Sequence, residues 1–139
     1  MTVPNKSIFM KLITRNTDYA LRALCYMSKR QDIVSVDELV EKLGVPRPFM
    51  RKILQQLNKE KILQSCRGQG GGFKLKRACG KIHIIDIMRI FQGQVSPDEC
   101  LLRKDACPDR PKCILRKKLY LIKENVLRQL QRISVASLI

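Results

Sequence analysis

The sequence predicts a mainly α fold: a winged helix-turn-helix with a small β-hairpin wing, followed by a long C-terminal dimerisation helix. Three observations predict it. A short capped segment, Ser35 to Leu43, is followed by Gly44 and then by an amphipathic segment that opens on Pro46 and Pro48. Just beyond it, Gly68-Gln-Gly-Gly-Gly72 separates two short β-prone runs. Near the end of the chain, apolar residues step by three and four from Leu115 to Ile133. A length of 139 residues suits one domain with a modest core. Within it, residues 1–9 read as a tail and 10–79 as the winged helix-turn-helix. Residues 80–139 read as a short helix, a cysteine loop (94–113) and the dimerisation helix (114–137).

The first helix is expected from Thr14 to about Lys29, because Tyr19, Ala23 and Met27, with Ala20 and Leu24, recur at helical spacing without a Gly or Pro. Ser35-Val-Asp-Glu38 has the form of a capping box, in which the hydroxyl accepts from early backbone amides and the carboxylate reaches back. Val36, Leu39, Val40 and Leu43 make the inward stripe of this second helix, and Gly44 stops it. Pro46 and Pro48 suit the first turn of a third helix. There Phe49, Met50, Ile53, Leu54 and Leu57 form one face, and Arg47, Arg51, Gln55, Asn58 and Lys59 the other. Two helices joined by a tight turn, the second with an exposed Arg, Gln and Asn face, form the helix-turn-helix pattern. Those side chains match guanine and adenine edges. Alone, the same pattern fits any amphipathic helix with a solvated face.

The hairpin beside it shifts the balance. Residues 62–67 and 73–77 read as strands, with Phe73 and Leu75 on one face and Gln69 at the tip. A glycine-rich loop that cradles a nucleotide phosphate would lie between a strand and a helix and be followed by Lys-Ser or Lys-Thr, and neither condition holds. Arg67, Lys74, Lys76 and Arg77 ring the hairpin, so its tip can lie along a phosphate backbone while the third helix enters the major groove. The DNA-facing set is therefore Arg47, Arg51, Gln55, Arg67, Gln69 and Lys74.

After the wing, Ile84, Ile85, Ile87, Met88 and Phe91 predict a short apolar helix that ends at Gly93, with His83 at its entrance. His83 is the single histidine, which excludes multi-histidine metal sites; a capping role suits it better than a ligand role. The last helix carries Leu115, Leu119, Ile122, Val126 and Leu130 on one stripe, with Arg116, Lys117, Lys123, Glu124, Arg128 and Arg132 largely outside. Such a stripe needs an apolar partner, and a second copy of the same helix is the economical one.

Lys and Arg number 28 against 12 Asp and Glu, a formal net charge of +16 that points to an anionic partner. Double-stranded DNA with a palindromic operator, bound by a homodimer, is the expectation. No run of about 18 apolar residues exists to cross a membrane, and the first ten residues lack a signal peptide's apolar region, so a cytoplasmic setting is expected. No paired carboxylates, nucleophile-base arrangement or cofactor motif supports catalysis, so an enzyme is not expected.

Cys100, Cys107 and Cys113 lie within fourteen residues, separated by six and then five, in a stretch with Pro97, Pro108 and Pro111. Proline and interspersed charge exclude a helix interior or central strand there, so packing gives no reason for three thiols. Clustered thiolates on irregular backbone suit an iron-sulfur cluster or zinc, whereas disulfide pairing would leave one thiol over. A winged-helix regulator that senses through zinc, thiol oxidation or a partner protein stays open at this point. So does a basic electron-transfer protein.

Thr17-Asp-Tyr-Ala-Leu-Arg22, Pro48-Phe-Met-Arg-Lys-Ile-Leu54, Arg67-Gly-Gln-Gly-Gly-Gly-Phe73 and the three spaced cysteines occur in order between Met10 and Ser137. With them the chain resembles the Rrf-type winged-helix regulators, the IscR, NsrR and RirA group. The resemblance implies a dimer paired through its C-terminal helices. It also implies a 2Fe-2S or 4Fe-4S cluster on Cys100, Cys107 and Cys113 whose state sets DNA affinity, in answer to iron or cluster status, oxygen or nitric oxide. A repressor is the expected direction. IscR-like members carry a histidine three residues after the last cysteine, where this chain has Arg116, and the first cysteine spacing here is one residue longer. The resemblance therefore assigns neither the cluster type nor, through Arg116, the fourth ligand. In NsrR-like relatives an acidic residue at the place of Asp18 reaches the partner's cluster, which makes Asp18, from the other subunit, the candidate fourth ligand. A cap on the first helix is its plainer role.

Overall fold

Helix α1 (Arg15–Arg30) is the element against which most of the others pack. The structure, a computed structural model, describes residues 12–93 and 114–139. Thr14 caps α1 with its hydroxyl, and Gln31 ends it in the left-handed conformation with its N–H on the Met27 carbonyl. Ala20, Leu21, Ala23, Leu24 and Met27 are buried, so one face of the helix supplies the centre of the core. The small Ala20 and Ala23 let neighbouring elements approach closely, while Leu24 and Met27 fill the space between them.

Helix α2 (Val36–Leu43) starts on the predicted Ser35 cap, whose Oγ accepts from Glu38 N at 3.1 Å, and it ends at left-handed Gly44. Of the predicted capping box only this half forms, because the Glu38 carboxylate is turned to Arg30, with which it pairs at 3.4 Å, joining α2 to the end of α1. Helix α3 (Arg47–Lys59) follows after Pro46, burying Met50, Ile53, Leu54 and Leu57. Phe49, expected on that buried face, is 44% exposed. It stands one position before Met50, which turns it away from α2, and lines a groove with Asn16, Lys52, Ile90 and Phe91.

Strands β1 (Leu63–Cys66) and β2 (Gly72–Leu75) form the hairpin, antiparallel with Leu63 opposite Leu75 and Cys66 opposite Gly72. The strands are shorter than the sequence suggests, and Gly72 belongs to the ladder and not to the turn. Val34 lies on the outer edge of β2, exchanging two backbone hydrogen bonds of 2.8 Å with Phe73. A Cβ on Gly72 would overlap the Val34 carbonyl, so only glycine allows this edge to close.

Helix α4 (Ile84–Gln92) packs against α1 and buries Ile84 and Ile87 in the core, while Ile85 is buried on the side that lines a groove with Leu127 of the last helix. At its start the Asp86 carboxylate accepts from His83 N at 3.3 Å, so His83 serves as the cap. Helix α5 (Ile114–Gln131) stops short of the predicted 114–137. Beyond it the chain turns back and pairs with the strand-like entrance to α4. Ile84 N donates to Ile133 O at 2.9 Å and Val135 N to Ile82 O at 2.8 Å. A 3-10 turn (Val135–Leu138) then buries Val135 completely beneath α1. Helical periodicity could not see this, because Ile133 and Val135 continue an apolar pattern while their backbone is already paired elsewhere.

Candidate nucleic-acid interface

Helices α2 and α3 pack together through Leu39, Val45 and the buried side of α3. That packing leaves the opposite side of α3 in solvent. Arg51, Lys52, Gln55 and Lys59 are all exposed there, and Arg51 and Gln55 stand one helical turn apart. This face offers guanidinium and amide groups of the kinds that pair with base edges, with lysines placed for phosphates. Lys52, absent from the predicted set, belongs to the same cationic surface.

Arg47 opens α3 and is ion-paired with Asp37 in the first turn of α2. Both side chains are largely exposed, so the pair is weak and solvent-screened, of order 0–1 kcal/mol. Asn58, predicted on the reading face, is half-buried, and its Oδ1 accepts from Ser65 N on β1 at 3.1 Å.

Arg67 and Gln69 sit at the exposed tip of the hairpin, closed by a bond from Gly71 N to Gly68 O at 3.0 Å. Gly68 and Gly70 have φ of 99° and 77°, a backbone that side-chain-bearing residues adopt at a cost. Lys74 is exposed in mid-strand opposite Gln64, and it lines a cleft with Gln31, Asp32 and Ile33 away from the tip. The structure thus places Arg51 and Gln55 on one helix face and Arg67 and Gln69 at the exposed hairpin tip, with Arg47 at the start of α3 and Lys74 in mid-strand.

Cys100, Cys107 and Cys113 lie outside the described residues. Asp18 is within them, in the first turn of α1, where its carboxylate accepts from Arg22 Nε at 3.0 Å. It is not the cap; Thr14 is. Among the described residues no group of three or more His, Cys, Asp or Glu could hold a metal ion. Cys25, Cys66 and Cys79 are half-buried free thiols, and burial pushes the Cys25 thiol above its ordinary value, opposed by Lys29 and reinforced by Cys79.

One feature of this region has no sequence signal. The Gln92 side chain, at the end of α4, ties down the start of α1. Its Oε1 accepts from Thr14 N at 3.0 Å and from the Thr17 hydroxyl at 2.7 Å, and its Nε2 donates to Leu12 O at 3.2 Å. A glutamine that contacts residues so distant in sequence cannot be told from a surface glutamine without the fold.

On α5, Ile114, Leu115, Leu121 and Ile122 are 70, 50, 65 and 60% exposed. Leu119 and Val126, also of the predicted stripe, are partly exposed. Leu130, its last member, packs on the chain's own core instead. Among the described residues no helix is long and apolar enough to cross a membrane.

Residues 13–139 match the family model described as "Rrf2: Iron-dependent Transcriptional regulator". A protein of Aquifex aeolicus (strain VF5), named as an HTH-type transcriptional regulator, is 35% identical over 112 residues, covering 78% of this chain and 77% of its own. An rrf2-like HTH-type regulator of Rhodobacter capsulatus is 32% identical over 116 residues, covering 76% and 77%. Among solved structures, CymR (YrzC), the global cysteine regulator of B. subtilis, superposes with a TM-score of 0.76 at 22% identity, covering 93% of this chain and 96% of that one. T. potens IscR gives 0.72 at 21%, covering 93% and 85%. The two structures establish the winged-helix fold, and the family match over nearly the whole length establishes descent: the chain belongs to the Rrf2 family of transcriptional regulators.

Proposed function

We propose that this regulator binds a palindromic double-stranded DNA operator as a homodimer and acts as a repressor in the cytoplasm. Its DNA affinity is set by an iron-sulfur cluster on Cys100, Cys107 and Cys113, answering to iron or cluster status, oxygen or nitric oxide. The observation that carries the DNA half is the exposed face of α3, with Arg51, Lys52 and Gln55, on a helix that packs against the hairpin whose tip exposes Arg67 and Gln69. Arg51 and Gln55 read base edges, Arg67 and Gln69 hold the backbone, and Arg47 and Lys74 contact phosphates at the margins. The apolar surface of α5 from Leu115 through Leu119, Ile122 and Val126 pairs with its copy.

The cluster half rests on donor chemistry. Three thiolates are soft ligands that suit iron-sulfur or zinc, and the family description names iron. Asp18 fits a fourth position, because its carboxylate is 46% exposed and engaged by an exposed arginine that it can release at small cost. When bound, an iron-sulfur group supplies redox-active and gas-reactive chemistry. A carboxylate is a harder and weaker ligand there than a thiolate, which leaves that position the easiest to displace.

Anaerobic purification with an absorption spectrum and an iron and sulfide assay tests the cluster. Zinc without sulfide would replace this reading by a zinc-bound or thiol-sensing regulator. DNA selection from a random pool, with and without the cluster, tests the rest. Affinity should fall with salt at a log-log slope of about 0.9 per neutralised phosphate. A cluster without sequence-specific, salt-dependent binding would mark an electron-transfer protein.

A further inference from the structure

The hairpin is held at both outer edges. On the β2 side, Val34 exchanges two backbone hydrogen bonds with Phe73. On the β1 side, the Ser65 N–H points away from β2 and is taken by Asn58 Oδ1 at 3.1 Å, from the last turn of α3. The link between α3 and β1 is short and fixed. Lys61 has φ of 63° and donates to Asn58 O at 3.0 Å, Ile62 N donates to Leu57 O at 3.0 Å, and Leu57, Ile62 and Leu63 are buried. An isolated two-stranded hairpin is marginal in water, so its direction is fixed by these edge bonds together with the short link and the buried Leu63 at its base.

By sequence Asn58 belongs with the base-reading residues, since an asparagine amide matches adenine. In the fold its acceptor is engaged by backbone, and the side chain is half-buried. We propose that Asn58 is a positioning residue for DNA binding: it locks the wing to α3, so that the helix face and the hairpin tip meet the duplex as one unit with a set spacing. The inference rests on α3 and the wing being the DNA-facing elements, as proposed above.

The test uses the full-length protein and an operator selected from a random pool by the wild type. Methylation protection reports guanine N7 in the major groove, where α3 would lie. Hydroxyl-radical protection reports the sugar-phosphate backbone under the wing, identified as the protection that Arg67→Ala removes. Asn58→Asp keeps the acceptor in place, whereas Asn58→Gln keeps the amide but displaces it, and Asn58→Ala removes it. Wing protection should survive in Asn58→Asp and be lost in the Gln and Ala variants. Guanine protection should stay unchanged in all three, and the affinity lost with the Gln and Ala variants should be about tenfold or less. Retained wing protection in Asn58→Gln and Asn58→Ala, or guanine protection lost while wing protection stays, would overturn the proposal and make Asn58 a bystander or a base reader. Should Asn58→Ala not fold, the Asp and Gln pair alone decides. A wild type that selects no sequence, or an Arg67→Ala that alters no protection, would instead refute the DNA-facing assignment.

Discussion

The Thr17 hydroxyl, fully buried in the first turn of α1, donates to Gln92 Oε1 at 2.7 Å across 75 residues of chain. The same oxygen accepts from Thr14 N, so one side chain holds the start of the central helix against the end of α4. Gln92→Ala would leave a buried hydroxyl without this acceptor. We expect a loss of about 1–3 kcal/mol in urea unfolding, and a smaller one for Gln92→Glu, which keeps the acceptor. Equal stability of all three proteins would show that water replaces the contact.

Arg51 and Arg67 are expected to fail differently. Arg51→Ala should relax preference at one operator position and cost about 1–3 kcal/mol, while Arg67→Ala should weaken all sequences alike and lower the salt slope by about one. Arg47→Ala should cost less than Arg51→Ala, because Arg47 already shares its charge with Asp37. Binding titrations on selected and scrambled duplexes measure all three, and sequence-blind losses for both Arg51 and Arg67 would show that α3 is not the reader.

Ile122 is 60% exposed on α5. A carboxylate placed there does not disturb the monomer's core but would be strongly unfavourable between two apolar helices. Ile122→Asp should therefore turn a dimer into a folded monomer in sedimentation, with helical dichroism kept. An unchanged dimer mass would move the interface elsewhere.

Asp18 and Cys107 give the fourth prediction. Cys107→Ala should abolish cluster absorbance. Asp18→Ala should retain a cluster with an altered spectrum and altered reactivity towards nitric oxide or oxygen. If spectrum and reactivity stay unaltered, Asp18 serves only as the surface partner of Arg22.

The helices and hairpin were legible because their signals are local. Ser35 before a capped run, Gly44 and the glycines of the wing each announce a backbone conformation within a few residues. Apolar spacing located the buried residues of α3 but misjudged Phe49, since a stripe read from sequence does not say how wide the covering neighbour is. Asn58 and Gln92 were out of reach for another reason. Their roles depend on hydrogen bonds to Ser65 N and Thr17, and amide side chains carry no sign of which distant group they meet. The turn after Gln131 was hidden because Ile133 and Val135 keep an apolar rhythm after the helix has ended.

That turn gives α5 two unlike ends. At one end Ile133 and Val135 are pinned by backbone bonds to Ile84 and Ile82, with Val135 as a buried fulcrum. At the other, Ile114 stands 70% exposed, directly after the cysteine segment. An 18-residue helix spans about 27 Å at 1.5 Å per residue, so it is a lever. A tilt of about ten degrees about the fulcrum carries the far end by about 5 Å while the base scarcely moves. If two such levers are joined across a twofold axis and α3 reads DNA as proposed, a push near Ile114 changes the distance between the two α3 helices without unpacking either core. Operator half-sites about 34 Å apart would register that change as gain or loss of fit.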